Sequence, residues 1–212
     1  MRTAHVLVRH ELRLVVSLWL WAARRPHGLG EGTAFGYSRG QGTMMLGFGF
    51  VIVIESIMMS VLLRNHPAAQ RAWFMLDMYT LLIIIGIHAA SVVRPHVLDA
   101  GSLRVRRAAH VDLRIPLEKI AHVRRELRTT HEKADGELNL AIGAQTTVTL
   151  ELTDPVAHVT FLGRRRDVRL VRLHADDATD LVQAIKASKA ANATNAIKPA
   201  RSSPSPQPDP LV

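Results

Sequence analysis

Cysteine is absent from the 212 residues, which excludes disulfides and all thiolate redox or metal chemistry. The signatures of nucleotide and acyl-transfer chemistry are missing as well. The glycine-rich stretch 26–42 (PHGLGEGTAFGYSRGQG) holds neither GxGxxG nor GxxxxGK[ST], and no strand pattern precedes it. Ser102 and Ser188 lack any GxSxG setting. His122, His131, His158 and His174 are scattered without the spacing of a metal site. These absences assign no catalytic residue and no cofactor, and the expectation is a protein that is not an enzyme. Acidic residues are also in short supply, 18 Asp and Glu against 27 Lys and Arg, for a formal net charge of +9. The basic excess is not concentrated on one recognition helix, so no nucleic-acid partner is expected. Attraction to anionic lipid headgroups is the simpler account of the charge.

Long apolar runs are what the chain has instead. Residues 44–63 (MMLGFGFVIVIESIMMSVLL) carry a single charge, Glu55, and residues 73–93 (WFMLDMYTLLIIIGIHAASVV) carry Asp77 near one end and His88 inside. A bilayer core about 30 Å thick needs about 20 largely apolar residues in a helix, and both runs have that length. The competing reading, two buried helices of a soluble protein, calls for shorter helices with a polar face. The link 64–72 (RNHPAAQRA) is polar, with Pro67 suited to a turn or a helix start, and so short a link makes the two helices antiparallel. Arginine flanks the runs at positions 2, 9, 13, 24, 25 and 39 and again at 94, 104, 106 and 107, against only Arg64 and Arg71 in the link. That bias predicts a multi-pass protein of the cell membrane with both termini cytoplasmic.

Aligning the runs from Leu63 and Trp73 predicts Glu55 about 12 Å from the outer ends, Thr80 at nearly the same depth, and His88 roughly 10 Å deeper. Gly47 and Gly49 then fall level with Gly86 and Ala90, where small side chains permit close approach. Glu55 is the most unusual residue, because a carboxylate near the bilayer midplane is costly and marks function by default. It reads either as a relay or contact to another subunit, or as a protonated group bonded to Thr80, Ser56 or Ser60. His88 is expected to pack against the partner helix, since no second ligand stands at metal spacing.

Residues 1–43 form a basic arm. In 4–25, His5, Arg9, Arg13 and Ser17 share one helical face while Leu7, Leu14, Leu18 and Trp21 lie on the other, the pattern of a helix in the membrane interface. Glu11 on the apolar side runs against that pattern, and 14–23 has the alternative reading of a signal-peptide core, opposed by Arg24 and Arg25. The linker 26–42 reads as flexible chain leading to the membrane, with Phe35 and Tyr37 as interface anchors.

After residue 94 the period changes to short alternating runs broken by turn residues. Strands are expected at 102–108, 110–115, 117–127, 137–142, 145–152, 156–162 and 168–173, with a turn at Asp154-Pro155. Asp176 and Asp177 then cap a helix to about Lys189 with Leu181, Val182 and Ile185 as its apolar stripe. Residues 191–212 end in RSSPSPQPDPLV and are expected to be a disordered tail.

Seven strands and a closing helix are the order of a pleckstrin-homology-like (PH-like) domain. LRIPLEKIAHVRRE resembles the I-P-L-x-x-I-x-x-V stretch of bacterial membrane proteins with PH-like domains. GAQTTVTLELTDPV and LGRRRDVRLVRLHADD resemble a group of small actinobacterial membrane proteins of this layout. The resemblance covers roughly 100–190 and loosely the hairpin. It implies a partly open β-barrel closed at one end by the helix, and no catalytic residues. The expected fold is therefore an α+β membrane protein, a transmembrane hairpin (44–93) followed by a seven-stranded PH-like barrel or sandwich with a C-terminal helix (100–190).

The candidate site residues are few. Arg164, Arg165 and Arg166 in a hairpin turn, with Arg124, Arg125 and Arg128, suit phosphate or anionic lipid, or else make a solvated charged turn. Glu55, Thr80 and His88 are the polar groups of the apolar runs. Two functions follow. One is a non-enzymatic adaptor or scaffold that holds a cytoplasmic domain at the bilayer for a protein, a lipid or its own copies. The other is a subunit of an oligomeric transport assembly that uses Glu55.

Overall fold

The computed structural model describes residue 16 and residues 18–23, 31–108, 111–130, 134–160 and 164–197. Most of the basic arm and the end of the tail, including its proline-rich part, lie outside the described residues.

Two long helices dominate, α1 (Gln41–Leu62) and α2 (Pro67–Val93). Both are long and apolar enough to cross a membrane. A core helix of a soluble protein would be covered, yet Leu46 is 77% exposed, Phe50 66% and Leu62 72%. Such an apolar surface is too large to leave in water. The link is shorter than expected, because Pro67 opens the helix at its first position and residues 67–72 are helical.

That change resets the register of the hairpin. Gln70 Nε2 donates to the Ser60 carbonyl at 3.1 Å and to its Oγ at 2.9 Å. A Cβ on Gly49 would stand 3.6 Å from Leu81, and one on Gly42 would stand 3.7 Å from His88. One register satisfies all three pairs, and it puts Glu55 level with Met75, about five residues or about 7.5 Å from the level of Thr80. The expected Glu55–Thr80 level is thus corrected, as is the match of Gly47 and Gly49 with Gly86 and Ala90. The small residues of α2 serve a different contact. Gly86, Ala89, Ala90 and Ser91 are buried, and Ala90 packs with Ile87 and Ala108 against the strands.

Among the described residues eight strands form two four-stranded sheets. The first, in order β1-β2-β3-β4, joins Thr33–Phe35, His96–Leu98, Ser102–Arg107 and Val111–Pro116, all antiparallel. The second runs β5-β7-β8-β6, from Ile120–Arg128, Thr146–Val159, Arg165–Leu173 and Glu137–Leu140, with β6 parallel to β8. Leu103, Val105 and Ile115 of one sheet and Val148, Leu150, Val171 and Leu173 of the other share one core with Leu181 and Ile185 of α3 (Ala178–Ile197).

Four expectations change. The stretch 117–127 begins with a single 3-10 turn, Leu117–Lys119, before β5. The expected strands at 145–152 and from 156 onward are one strand, β7, as far as Val159, and it passes through Asp154 and Pro155 at a register shift against β8 between Glu151 and Val156; residues 161–162 of the expected second strand lie outside the described residues. The neighbour β5 is last paired at Leu152, so the missing proline N–H interrupts nothing on that side. The expected linker contributes β1, which pairs with β2 across the whole hairpin. Finally, α3 runs to Ile197, so residues 191–197 are helix rather than tail. Their alanine content favours it, and Asn192 Nδ2 donates to the Ala100 carbonyl at 2.7 Å.

Candidate functional site

The arginines singled out from the sequence do not meet. Arg124 lies opposite Thr149 on β7, whereas Arg166 lies opposite His158 of the same strand. Nine residues of strand separate those partners, about 30 Å. Arg124 is engaged by Glu126 at 3.2 Å and Glu151 at 2.7 Å, and Arg128 approaches Glu126 at 3.9 Å. Thr149, bonded at 2.8 Å, and then Arg124 hold the Glu126 carboxyl below its usual range. These arginines are internally balanced. Arg164, Arg165 and Arg166 are exposed and without an ion pair among the described residues. Arg165 and Arg166 are not in a turn as expected but open β8, paired with Val159 and His158 of β7, with Arg164 just before them, at the end of the strand remote from Leu173. Arg125 is exposed on β5.

The polar groups of the hairpin are likewise separate. Thr80 Oγ1 donates to its own helix at the Leu76 carbonyl, 2.9 Å. Glu55 is exposed on α1 and has no hydrogen bond to Thr80, Ser56 or Ser60, which corrects the bonded reading. Asp77 is the buried carboxylate, with Oδ2 unpartnered. In the observed register it lies two residues, about 3 Å, from the level of Glu55. His88 packs beside Gly42 and meets the Trp21 ring edge-on at 6.3 Å.

The residues that are brought together lie where the hairpin joins the strands. Tyr37, expected as an interface anchor, is 1% exposed inside the protein. Its hydroxyl accepts the Ala108 N–H at 2.7 Å and interacts with Ser91 of α2. Its ring stacks on His96 at 4.7 Å. Burial, against the pull of these bonds, pushes the phenol up to about 12. The backbone N–H of Arg106 donates to His96 Nδ1 at 3.1 Å, so Nδ1 is the unprotonated nitrogen and Nε2–H donates to the His174 carbonyl at 3.0 Å. Both nitrogens are used in the neutral form, and burial pushes the imidazole down to about 4.

The same short segment is clamped on its other side. Asp176 accepts the Arg39 backbone N–H at 3.1 Å and gives its own N–H to the Gly36 carbonyl at 2.9 Å. Arg39 reaches Asp177 at 3.2 Å. Asp176 therefore binds the pre-hairpin segment as well as preceding α3. Nearby, Arg104 and Asp112 form two hydrogen bonds of 2.6 Å. Burial would raise the Asp112 carboxyl, but that pairing and Arg106 outweigh it and hold it below its usual range.

Beside this junction is a cleft of about 490 Å³ between the first turns of α1, the last turns of α2, the β3–β4 end and the turn after β6. Arg107 lines it together with Gln41, Met44, Met45, Ile87 and Ile142. Burial pulls the Arg107 guanidinium down, and no carboxylate among the described residues pairs with it. No group of three or more His, Asp or Glu among the described residues is placed to hold a metal.

No family model, curated protein or solved structure matches the chain. Sequence reasoning missed Tyr37, His96, Gln41 and Arg107. The only signal was the run Arg104-Val105-Arg106-Arg107, which the charge count registers without saying which arginine is left unpaired.

Proposed function

We propose that this chain is a membrane-anchored, non-enzymatic platform. The hairpin crosses the bilayer, both of its ends face the cytoplasm, and the two-sheet domain is presented there to a protein partner or to anionic lipid. The observation that supports the reading is the junction. The chain enters the hairpin through Tyr37, which is stacked on His96 and bonded to Ala108. It leaves through Arg94 directly into β2, the strand that pairs with β1. A domain tethered for reach alone needs only a loose linker, whereas here both connections are built into one sheet. Such a domain keeps a fixed orientation to the membrane, which a docking platform requires. Two sheets followed by a helix also agree with a PH-like assignment, which we retain as part of the proposal.

The test places a photo-crosslinking amino acid at Leu127 or Val159, two exposed apolar positions on the domain, in the full-length chain in its native membrane. A discrete protein adduct from these positions, unchanged by Glu55→Gln, is expected. Adducts only from hairpin positions would refute the platform. That outcome would favour the second reading, a subunit of a transport oligomer, which is supported by Glu55 standing exposed on α1 close to the level of buried Asp77. Unchanged ion or proton flux on Glu55→Gln in vesicles would reject that reading.

A further inference from the structure

The cleft beside the junction has the features of a lipid-headgroup site. Gln41 is only 7% exposed, lines the cleft, and its Oε1 is buried without a hydrogen-bond partner. An acceptor left in that state costs free energy until a donor arrives. Arg107 supplies the complementary group, a partly desolvated cation with no carboxylate beside it among the described residues. Apart from Ser91, whose hydroxyl donates to the Ile87 carbonyl of its own helix, the remaining side chains of the lining are apolar, chiefly Met44 and Met45 of α1, Ile87 of α2 and Ile142. Met44 and Met45 lie within the first two turns of α1, about 5 Å along its axis from Gln41. They lead directly onto the exposed apolar face of the hairpin.

We propose that this cleft binds one phospholipid of the inner leaflet. The phosphate lies against Arg107, a hydroxyl or ammonium of the headgroup donates to Gln41 Oε1, and an acyl chain runs along Met44, Met45 and Ile87. The shared chemistry with a free phosphate is the anion; the apolar lining and the unmet acceptor select the lipid. A volume of about 490 Å³ is within the range that encloses most of a small ligand. The inference rests on the reading that α1 and α2 lie in a bilayer. It assigns a site distinct from the exposed arginines 164–166 at the start of β8.

The test uses the full-length chain in a neutral detergent, titrated with short-chain phosphatidylglycerol, short-chain phosphatidylcholine and inorganic phosphate. Phosphatidylglycerol is expected to bind most tightly, because the choline headgroup has no donor for Gln41 and inorganic phosphate has no chain. Arg107→Gln is expected to weaken that binding by about tenfold or more, the effect of losing a charge-assisted contact, and Arg107→Lys to recover part of it. Gln41→Leu should weaken it about fivefold, and Arg166→Gln should leave it unchanged. Ala141→Trp, which fills the cleft from the turn after β6, gives an independent block should Arg107→Gln fail to fold. Equal binding of inorganic phosphate and phosphatidylglycerol would overturn the lipid assignment. Binding that is lost with Arg166→Gln but kept with Arg107→Gln and Ala141→Trp would overturn the location, as would no binding at all. Domain crosslinks that persist while the lipid fails to bind would sink this inference and leave the platform standing.

Discussion

Replacing Tyr37 by Phe separates the two roles of the junction tyrosine. The ring and its stacking on His96 are kept, and only the hydroxyl is lost. That hydroxyl accepts the N–H of Ala108, a buried residue with a positive φ of 44° at the end of β3. The phenylalanine ring excludes water from the orphaned N–H, and leaving one such donor unpaired costs about 1–3 kcal/mol. Tyr37→Ala would also remove a fully buried ring, and aromatic-to-alanine changes in a core cost about 3–5 kcal/mol. The two variants should therefore lie on one scale, Phe mildly and Ala strongly destabilised. Thermal unfolding of the full chain in detergent, followed by near-UV dichroism, reads the ladder. A parallel measurement of the distance spread between spin labels on the hairpin and on β7 reads the coupling. The spread should widen for Ala more than for Phe. An alanine variant within about 1 kcal/mol of the parent, with an unchanged distance distribution, would refute the claim that Tyr37 joins the hairpin to the domain.

The buried His96 predicts an acid weakness. Its native value near 4 lies below the ordinary 6.5, so the unfolded chain takes up the proton first. The stabilisation is complete above about pH 6.5 and is lost as pH falls toward 4, by up to about 3 kcal/mol. The His174 carbonyl that accepts from Nε2 opposes burial, while the charges of His174 and Arg106 act with it; unfolding midpoints of parent and His96→Gln should converge as pH falls, and parallel curves would refute this. Gly32→Ala is expected to detach β1, because its Cβ would meet the Leu98 carbonyl at 2.9 Å and Val97 at 2.6 Å; unchanged hydrogen-exchange protection at Phe35 would contradict it. Arg172 is largely buried and bonded to Glu137 and Asn139, so Arg172→Leu leaves a half-buried carboxylate on β6 unpaired. A loss of about 2–4 kcal/mol is expected in denaturant unfolding, and a loss below about 0.5 kcal/mol would show the pair to be dispensable.

The parts of the fold with a strong internal period could be read from the chain. The two apolar runs, the alternation of β3 and β4, the run 168–173 and the stripe of Leu181, Val182 and Ile185 each announce their own structure. What could not be read depends on partners distant in sequence. β1 is three residues in a glycine-rich stretch and exists because β2, more than sixty residues later, pairs with it. Pro155 looked like a chain reversal, but a proline is tolerated in a strand where no neighbour needs its N–H, and β5 is last paired three residues earlier. Pro67 was compatible with a turn or a helix start, and the choice moved the level of Glu55 from Leu81 to Met75. The candidate site was less legible still. Arginine counts do not reveal that Glu126 and Glu151 neutralise Arg124 while Arg107 faces a cleft, because pairing across β5 and β7 is a property of register. Gln41 carried no signal at all, since an amide at the start of a helix is unremarkable until its oxygen is found buried.

The absence of cysteine makes the most direct test simple, because any introduced thiol is the only one. Asn65→Cys, in the link between α1 and α2, and Thr153→Cys, exposed on β7, would be labelled with a membrane-impermeant maleimide in intact cells and again after permeabilisation. The platform account predicts that the link cysteine reacts in intact cells and the domain cysteine only after permeabilisation, with the chain retained in carbonate-washed membranes. Labelling of both positions under the same condition, or recovery of the chain in the soluble fraction, would contradict it.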